Sequence, residues 1–192
     1  SPKRAVVVGG GFIGLEVAEN FAHLNIPTMV VDMADQVPPG FEPEFSEYIV
    51  DHLADEGIML FTGTRVEEIV GEDGKLSAIK TNRTKMKADV AVRSLGIRPN
   101  TAFLKDTGIE LIDNGTIKVN EYLETNIADI YSVGDCASVH NRITGQPMWS
   151  PMGSTANLTG RILAQNISGQ REEKIKYHGA LGTAIAKLPN LN

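Results

Sequence analysis

Three consecutive glycines near the start of the chain constrain the fold more than any other feature. The segment Ala5–Glu16 reads AVVVGGGFIGLE, and Gly9, Gly11 and Gly14 in it have the spacing G-x-G-x-x-G. Between a strand and a helix, the first glycine permits a tight turn and the second lets the backbone approach a pyrophosphate. The third lets the helix pack closely on the strand. The first N–H groups of the helix then favour phosphate. We therefore expect a dinucleotide-binding turn, the alternative being a purely structural one.

The segments around this turn predict a β-α-β unit. Ala5–Val8 is apolar throughout, as a buried parallel strand is. Thr28–Val31 has the pattern of a second strand. The helix between them carries apolar residues at spacings of three and four, which predicts a core-facing stripe. The members of this stripe are Ile13, Val17, Phe21 and Leu24.

Two acids are candidates for contact with the nucleotide. Asp32 ends the second strand, eighteen positions after Gly14, close to the roughly twenty expected for the acid that binds the adenine ribose. Its carboxylate would repel a 2′-phosphate, and no Lys or Arg occurs between Asp32 and Glu56 to compensate. We therefore expect NAD(H) rather than NADP(H). Glu16 is expected in the first helical turn, where a favourable dipole interaction explains it as well as a nucleotide contact does.

The rest of the first half continues an α/β pattern with an insertion. A second helix is predicted to begin at Pro43, and Ile58–Phe61 has the pattern of a third strand. The period then changes to two, and Arg65–Lys87 predicts a three-stranded antiparallel meander whose first turn is Gly71–Gly74. Asp89–Leu95 returns to the apolar pattern. The fold class expected is therefore α/β, a Rossmann-like dinucleotide-binding domain with a parallel sheet, helices and an inserted antiparallel β-meander.

The second half predicts a smaller unit. Thr116–Val119 and Asp129–Val133 have strand patterns, and the second of them runs directly into Gly134-Asp135. A helix is predicted from about Ser154 to Ile167. A Gly-Asp pair after a strand is by itself as well explained by a strand-ending turn as by a binding site.

Four segments carry a family resemblance, and in chain order they read GGGFIGLEVAENF, SLGIRPN, IYSVGDCA and SPMGSTANLTGRILAQNI. Together they resemble the flavin-dependent pyridine nucleotide-disulfide oxidoreductases, in particular the branch of coenzyme A-disulfide reductases and NADH oxidases or peroxidases. The resemblance implies an NAD(H)-binding domain over residues 1–114 and the second half of an FAD-binding domain over residues 115–170. Residues 171–192 would be a linker and the start of an interface domain.

The resemblance also assigns candidate cofactor-binding residues. Ile13, Gly14 and Glu16 would lie near the nicotinamide-ribose part of the nucleotide, and Asp32 near the adenine ribose. Phe12 is a further candidate for cofactor binding. Gly96, in Ser94-Leu95-Gly96, matches a glycine that closes a nucleotide-side motif usually written A-T-G, so only the glycine carries over. For FAD, the matching positions are Gly134 and Asp135 and the helix start at Ser154 and Thr155.

Several parts of the family pattern are missing from this sequence. They are the first FAD half with its own glycine motif, the redox-active cysteine in that half, and most of the interface domain. We therefore expect no catalytic residue in this chain, which looks like the central part of a longer protein. The sole cysteine, Cys136, is expected to be a packed residue.

Composition excludes several other classes of protein. A net charge of −6 argues against a nucleic-acid partner, because such binding needs clustered cations. No uncharged run is long enough to span a membrane, and we expect a cytoplasmic protein. The four histidines have no metal-ligand spacing, so no metal site is expected.

The function expected is that of a flavoenzyme part that passes hydride from NADH to FAD and on to a disulfide, oxygen or peroxide. The resemblance implies a homodimer for the whole protein. The chain alone would bind NAD(H), hold FAD weakly and be inactive. The alternative is a self-contained NAD-binding module, or a subunit that completes an enzyme only with another chain.

Overall fold

The chain folds around separate cores in its two halves. The computed structural model describes residues 2–169, 173–183 and 185. Residues 2–96 form one compact unit, and the described residues of the range 97–183 form a second. The first unit thus ends before residue 114, the expected end of the nucleotide domain, and the functional division at 114 stays a prediction. Part of the expected linker and interface segment, 171–192, lies outside the described residues.

The first unit contains a four-stranded parallel sheet with the order β3-β2-β1-β7. Its elements, in chain order, are β1 (Ala5–Val8), α1 (Phe12–His23), β2 (Thr28–Val31), α2 (Pro43–Asp55), β3 (Met59–Phe61), β4 (Val66–Glu72), β5 (Lys75–Thr81), β6 (Lys85–Lys87) and β7 (Val90–Arg93). All the elements predicted for this half are present, and the predicted fold class is confirmed.

Side chains alternate across the parallel sheet, so that its two faces pack on different layers. Val7 and Val30 are fully buried on the face covered by the helices, against Leu15 and Ala18 of α1 and Leu53 of α2. Burial of apolar area at about 25 cal/mol per Å² is the main stabilising contribution of such a layer. It fixes α1 and α2 on one side of the sheet.

The opposite face of the sheet is covered by the antiparallel meander β4-β5-β6. Ile79 and Met86 of this meander pack on Val6 and Val31. Its first hairpin turns at Asp73-Gly74, where both residues have positive φ (51° and 75°), as a type I′ turn requires. The predicted meander is therefore confirmed, and both faces of the parallel sheet are covered.

The buried face of α1 differs in part from the predicted one. Val17 and Phe21 of the predicted stripe are partly buried and pack against the core, whereas Ile13 and Leu24 are 62% and 69% exposed. The fully buried residues of the helix are Gly14, Leu15, Ala18 and Glu19. The reason is steric, because the helix approaches the Gly9 carbonyl oxygen most closely at Gly14, the residue without a side chain.

The second unit is built from short elements and one long helix. They are two single 3₁₀ turns, Ala102–Leu104 and Gly134–Cys136, the hairpin β8 (Ser138–His140) and β9 (Pro147–Trp149), and α3 (Gly153–Ile167). Its core contains Leu123, Val139 and Tyr177, with Ile162 and Leu163 of α3 packed against it. The predicted helix is confirmed.

Two strands predicted in the second unit are wrong. Thr116–Val119 and Asp129–Val133 make only isolated bridges, through Ile117 and Tyr131 respectively. Ile117 makes one isolated bridge to Leu111 and one to Ala137, and neither extends into a ladder. Asp129 has φ 62°, and this left-handed conformation interrupts an extended strand. None of the described helices is long and apolar enough to cross a membrane.

Candidate functional site

The three motif glycines meet three different geometric requirements at the carboxyl end of β1. Gly9 has φ +112°, and a Cβ there would lie less than 3.0 Å from the Ser94 carbonyl oxygen. A Cβ on Gly14 would lie equally close to the Gly9 carbonyl oxygen. A Cβ on Gly11 would meet nothing within 4 Å. The turn is thus packed at its first and third glycines and open to solvent at the second.

The helix α1 begins directly after this turn, and no side chain caps its N-terminus. Gly11 is the N-cap residue and makes no side-chain hydrogen bond, and the first turn contains no acidic residue. The first N–H groups of a helix have no partner inside it. An anion could therefore accept hydrogen bonds from them, with favourable dipole energy. Glu16 was expected in this first turn but lies beyond it, where it is partly buried.

Asp32 lies beside the glycine turn, as its position in the sequence predicted. Its Oδ2 accepts a hydrogen bond from the Gly10 N–H (2.6 Å), and its Oδ1 accepts one from the Ala34 N–H (2.8 Å). Sequence reasoning missed Gly10, because the motif leaves this position free. A Cβ on Gly10 would lie less than 3.0 Å from Cγ1 of the fully buried Val37. The signal that could have indicated this role is that Gly10, between Gly9 and Gly11, is a glycine although the motif accepts any residue there.

The segment that follows β7 lies against the same turn. The Ser94 N–H donates to the Val8 carbonyl (2.7 Å), which continues the strand pairing up to Gly9. Gly96, two residues later, has φ +79°. The structure therefore brings the Ser94–Gly96 segment and the glycine turn together at the carboxyl edge of the sheet, where open α/β sheets bind their ligands.

Apolar side chains line the outside of this edge. The Phe12 ring meets the Phe41 ring edge to face, with centroids 5.8 Å apart. Both rings are more than a third exposed, and Ile13 is exposed still further. Phe12 and Ile13, both predicted as cofactor-binding residues, therefore present apolar surface directly beside the open helix N-terminus.

In the second unit, the predicted Gly134-Asp135 pair forms a tight turn. Gly134 has φ +74°, and its N–H donates to the Oγ1 of the buried Thr159 on α3 (3.4 Å). The Trp149 indole N–H donates to the Asp135 backbone carbonyl (2.8 Å). The Asp135 side chain is exposed. The turn is thus fixed through its backbone, and its carboxylate remains available to a ligand.

The N-terminus of α3, like that of α1, has no side-chain cap and no acidic residue in its first turn. Met152 is its N-cap residue. Ser154 is exposed, whereas Thr155 is buried, with its hydroxyl 2.9 Å from the Ser150 hydroxyl. An open cleft of about 280 Å³ lies beside this helix start, and the positively charged side chain of Arg142 is among the groups that line it. Of the two predicted residues, Ser154 can contact a ligand directly and Thr155 supports the helix start.

Ion pairs in the second unit lie away from these turns. The Lys176 ammonium donates to Glu121 (2.7 Å) and keeps the pKa of that carboxyl below its ordinary value. Lys174 has the same effect on the pKa of Glu124. The two lysines are exposed and the two carboxylates are partly exposed, so the pairs tie the segment around residue 175 to the segment 121–124. Among the described residues, no cluster of acids, histidines or cysteine could hold a metal ion.

Comparison with known proteins gives a match over most of the chain. The sequence profile of the pyridine nucleotide-disulphide oxidoreductases matches residues 1–156. An NADH oxidase of Enterococcus faecalis is 34% identical over 95% of this chain, which spans 40% of that protein. The chain is therefore similar to part of a considerably longer relative.

Solved structures show the same relation. A FAD-dependent pyridine nucleotide-disulphide oxidoreductase from Desulfovibrio vulgaris superposes with a TM-score of 0.88 and is 36% identical. The match covers 98% of this chain and 47% of that one. The water-forming NADH oxidase from Lactobacillus brevis, bound to NADH, also has a TM-score of 0.88 at 29% identity, with coverage of 98% and 41%.

Proposed function

Because the chain belongs to the pyridine nucleotide-disulphide oxidoreductase family, we propose that it is the NAD(H)-binding central part of a flavin-dependent oxidoreductase. That enzyme passes hydride from NADH to FAD and on to a disulfide, oxygen or peroxide. One observation carries this proposal. The glycine turn is packed at Gly9 and Gly14 but open at Gly11 and at the helix N-terminus, where a pyrophosphate needs room and donors.

Asp32 supports NADH over NADPH. Its carboxylate uses one hydrogen bond on each oxygen and has further lone pairs to accept a ribose hydroxyl. A 2′-phosphate in the same place would meet this negative charge. Phe12, Ile13, Glu16 and Gly96 would complete the nucleotide site.

The second unit supports a role in holding FAD. The exposed carboxylate of Asp135 is suited to accept hydrogen bonds from hydroxyl groups of the cofactor. Gly134 fixes the turn that presents it. The N-terminus of α3, with Ser154 exposed and Thr155 supporting it, would stabilise negative charge on a flavin. When bound, the flavin would supply the hydride-accepting chemistry, while these residues orient it.

The whole protein would therefore contain parts beyond this sequence: a first FAD half, an interface domain and a redox-active cysteine. We propose that it is a cytoplasmic homodimer. The only cysteine of this chain lies in the Gly134–Cys136 turn and is partly buried, which agrees with a supporting role there.

Nucleotide binding is tested by calorimetric titration of the purified chain with NADH and with NADPH. We expect NADH to bind at least about tenfold more tightly, a difference of about 1.4 kcal/mol. No binding of NADH would contradict the proposed nucleotide site. Tighter binding of NADPH would leave the site standing but contradict the role given to Asp32.

Hydride transfer is tested in a chimera. This chain replaces the matching part of the E. faecalis NADH oxidase, and NADH is added without oxygen while the flavin absorbance is followed. We expect the flavin to be bleached, and Asp135→Asn to lower the amount of flavin retained. Asp129→Asn is the matched control, because Asp129 is exposed and has a positive φ that Asn tolerates. A folded chimera that binds NADH and retains flavin without bleaching it would contradict the proposed transfer.

A further inference from the structure

Asp32 is fixed at all four of its polar groups. Its backbone N–H donates to the Phe61 carbonyl (2.9 Å), and its carbonyl accepts from the Thr64 N–H (2.8 Å). Its carboxylate accepts from the N–H groups of Gly10 (2.6 Å) and Ala34 (2.8 Å). The residue therefore connects the end of β3, the loop after β2 and the glycine turn.

The Gly10 end of this connection is closely packed. Val37, fully buried, stands where a Cβ on Gly10 would be, and Asp32 Oδ2 stands 3.3 Å from the same point. Hydrogen bonds to charged acceptors are roughly twice as strong as those between neutral groups. The Asp32 carboxylate thus holds the Gly10 N–H through a strong contact within the protein.

We propose that Asp32 is a positioning residue: it fixes the glycine turn and the loop after β2 for nucleotide binding, independently of any contact with the ribose. This inference rests on the proposed function only in its ligand-binding experiment. The NMR experiment, described first, uses the free chain and tests the inference without any ligand. A residue that served only as a ribose ligand would affect binding only of nucleotides that carry the adenosine 2′- or 3′-hydroxyl.

The first experiment examines the free chain by NMR. We expect a scalar coupling across the hydrogen bond between the Gly10 nitrogen and the Asp32 carboxylate carbon. The Gly10 amide should also change its proton shift strongly and exchange faster in Asp32→Asn, because an amide oxygen is a weaker acceptor than a carboxylate. Asp35→Asn is the matched control, since Asp35 is an exposed aspartate in the same loop and the Gly10 and Ala34 N–H groups bond to Asp32.

The second experiment combines the variant with a modified ligand. Asp32→Asn is titrated with NAD⁺ and with its analogue lacking both the 2′- and the 3′-hydroxyl of the adenosine ribose. We expect the affinity for the analogue to fall roughly 10-fold or more, as loss of a hydrogen bond to a charged acceptor would give, and the affinity for NAD⁺ to fall further because its ribose contact is also lost. Asp35→Asn should bind both ligands as the unmodified chain does.

The outcomes separate this inference from the proposed function. A loss of affinity for the analogue supports the positioning role, whereas a loss confined to NAD⁺ overturns it. Absence of the Gly10 coupling, in a spectrum that shows the couplings of the β1–β2 pairing, overturns it even if Asp32→Asn does not fold. If neither ligand binds the unmodified chain, the proposed nucleotide site fails, and the NMR result alone decides the role of Asp32.

Discussion

Replacement of Gly11 by alanine should weaken nucleotide binding without weakening the fold. In the structure, a Cβ at this position meets nothing within 4 Å, and φ is −77° with ψ 179°, a conformation open to alanine. Alanine is a poorer N-cap than glycine by up to about 1 kcal/mol. It also restricts the unfolded chain, which stabilises by about 0.4–1 kcal/mol. The two effects nearly cancel, so we expect a change in melting temperature of no more than about 2 °C.

Gly14→Ala is the contrasting variant on the same helix. Its Cβ would overlap the Gly9 carbonyl oxygen, which belongs to the backbone and cannot rotate away. Helix propensity favours alanine by about 1 kcal/mol, but separating α1 from β1 would cost about 3 kcal/mol or more. The net loss of about 2 kcal/mol lowers the melting temperature by about 4–8 °C for a chain of this size.

The assays are thermal unfolding by circular dichroism and calorimetric titration with NADH. For Gly11→Ala we expect affinity to fall roughly 10- to 100-fold, or about 1.4–2.7 kcal/mol, because the new methyl group occupies the side from which the pyrophosphate approaches. Gly160→Ala, in α3 and also in open space, is the control for a glycine outside the nucleotide site. Unchanged NADH affinity in a folded Gly11→Ala variant would refute the assignment of the pyrophosphate to this turn. Destabilisation equal to that of Gly14→Ala would refute the steric argument.

Two further substitutions test the second unit. Thr159→Val should destabilise it by about 1 kcal/mol in urea unfolding, because the Gly134 N–H loses its acceptor inside the protein; an unchanged midpoint would show that water replaces the hydroxyl. Glu121→Gln tests the ion pair with Lys176, whose hydrogen bond holds the pKa of Glu121 below its ordinary value of 4.5. The pair stabilises the fold fully above that pH, and its contribution is lost as the pH falls through the lowered pKa. The variant should therefore lose less stability than the unmodified chain between neutral pH and about pH 3, and equal losses would contradict this.

The local sequence pattern was sufficient to predict most strands and helices of the first unit. Apolar residues at periods of two and four, with glycines at the turns, indicated these elements, because each element is specified by its own residues. The full burial of Leu15 and Ala18 in α1 was not predicted, because it depends on how closely Gly14 meets the carbonyl of Gly9. The role of Gly10 was hidden for the same reason: its contacts with Asp32 and Val37 connect residues more than twenty positions apart.

The second unit was harder to predict because little of it is regular. Segments such as Thr116–Val119 have the composition of strands but find single bridges, since their partners are themselves short and irregular. The resemblance located the Gly134-Asp135 turn, whereas its attachment through Thr159 and Trp149 depends on tertiary hydrogen bonds that no local pattern indicates. The sequence pattern thus identifies the candidate residues, and tertiary hydrogen bonds determine which of their atoms remain free to contact a ligand.

The hydrogen bond between Trp149 and the Asp135 carbonyl gives the chain an internal optical probe. Trp149 is the only tryptophan in the sequence, so selective indole excitation reports on the second unit alone. Circular dichroism in the far ultraviolet sums over both units. Unfolding followed by the two signals in parallel would therefore measure whether the units lose their structure together or one after the other, with no label and no substitution.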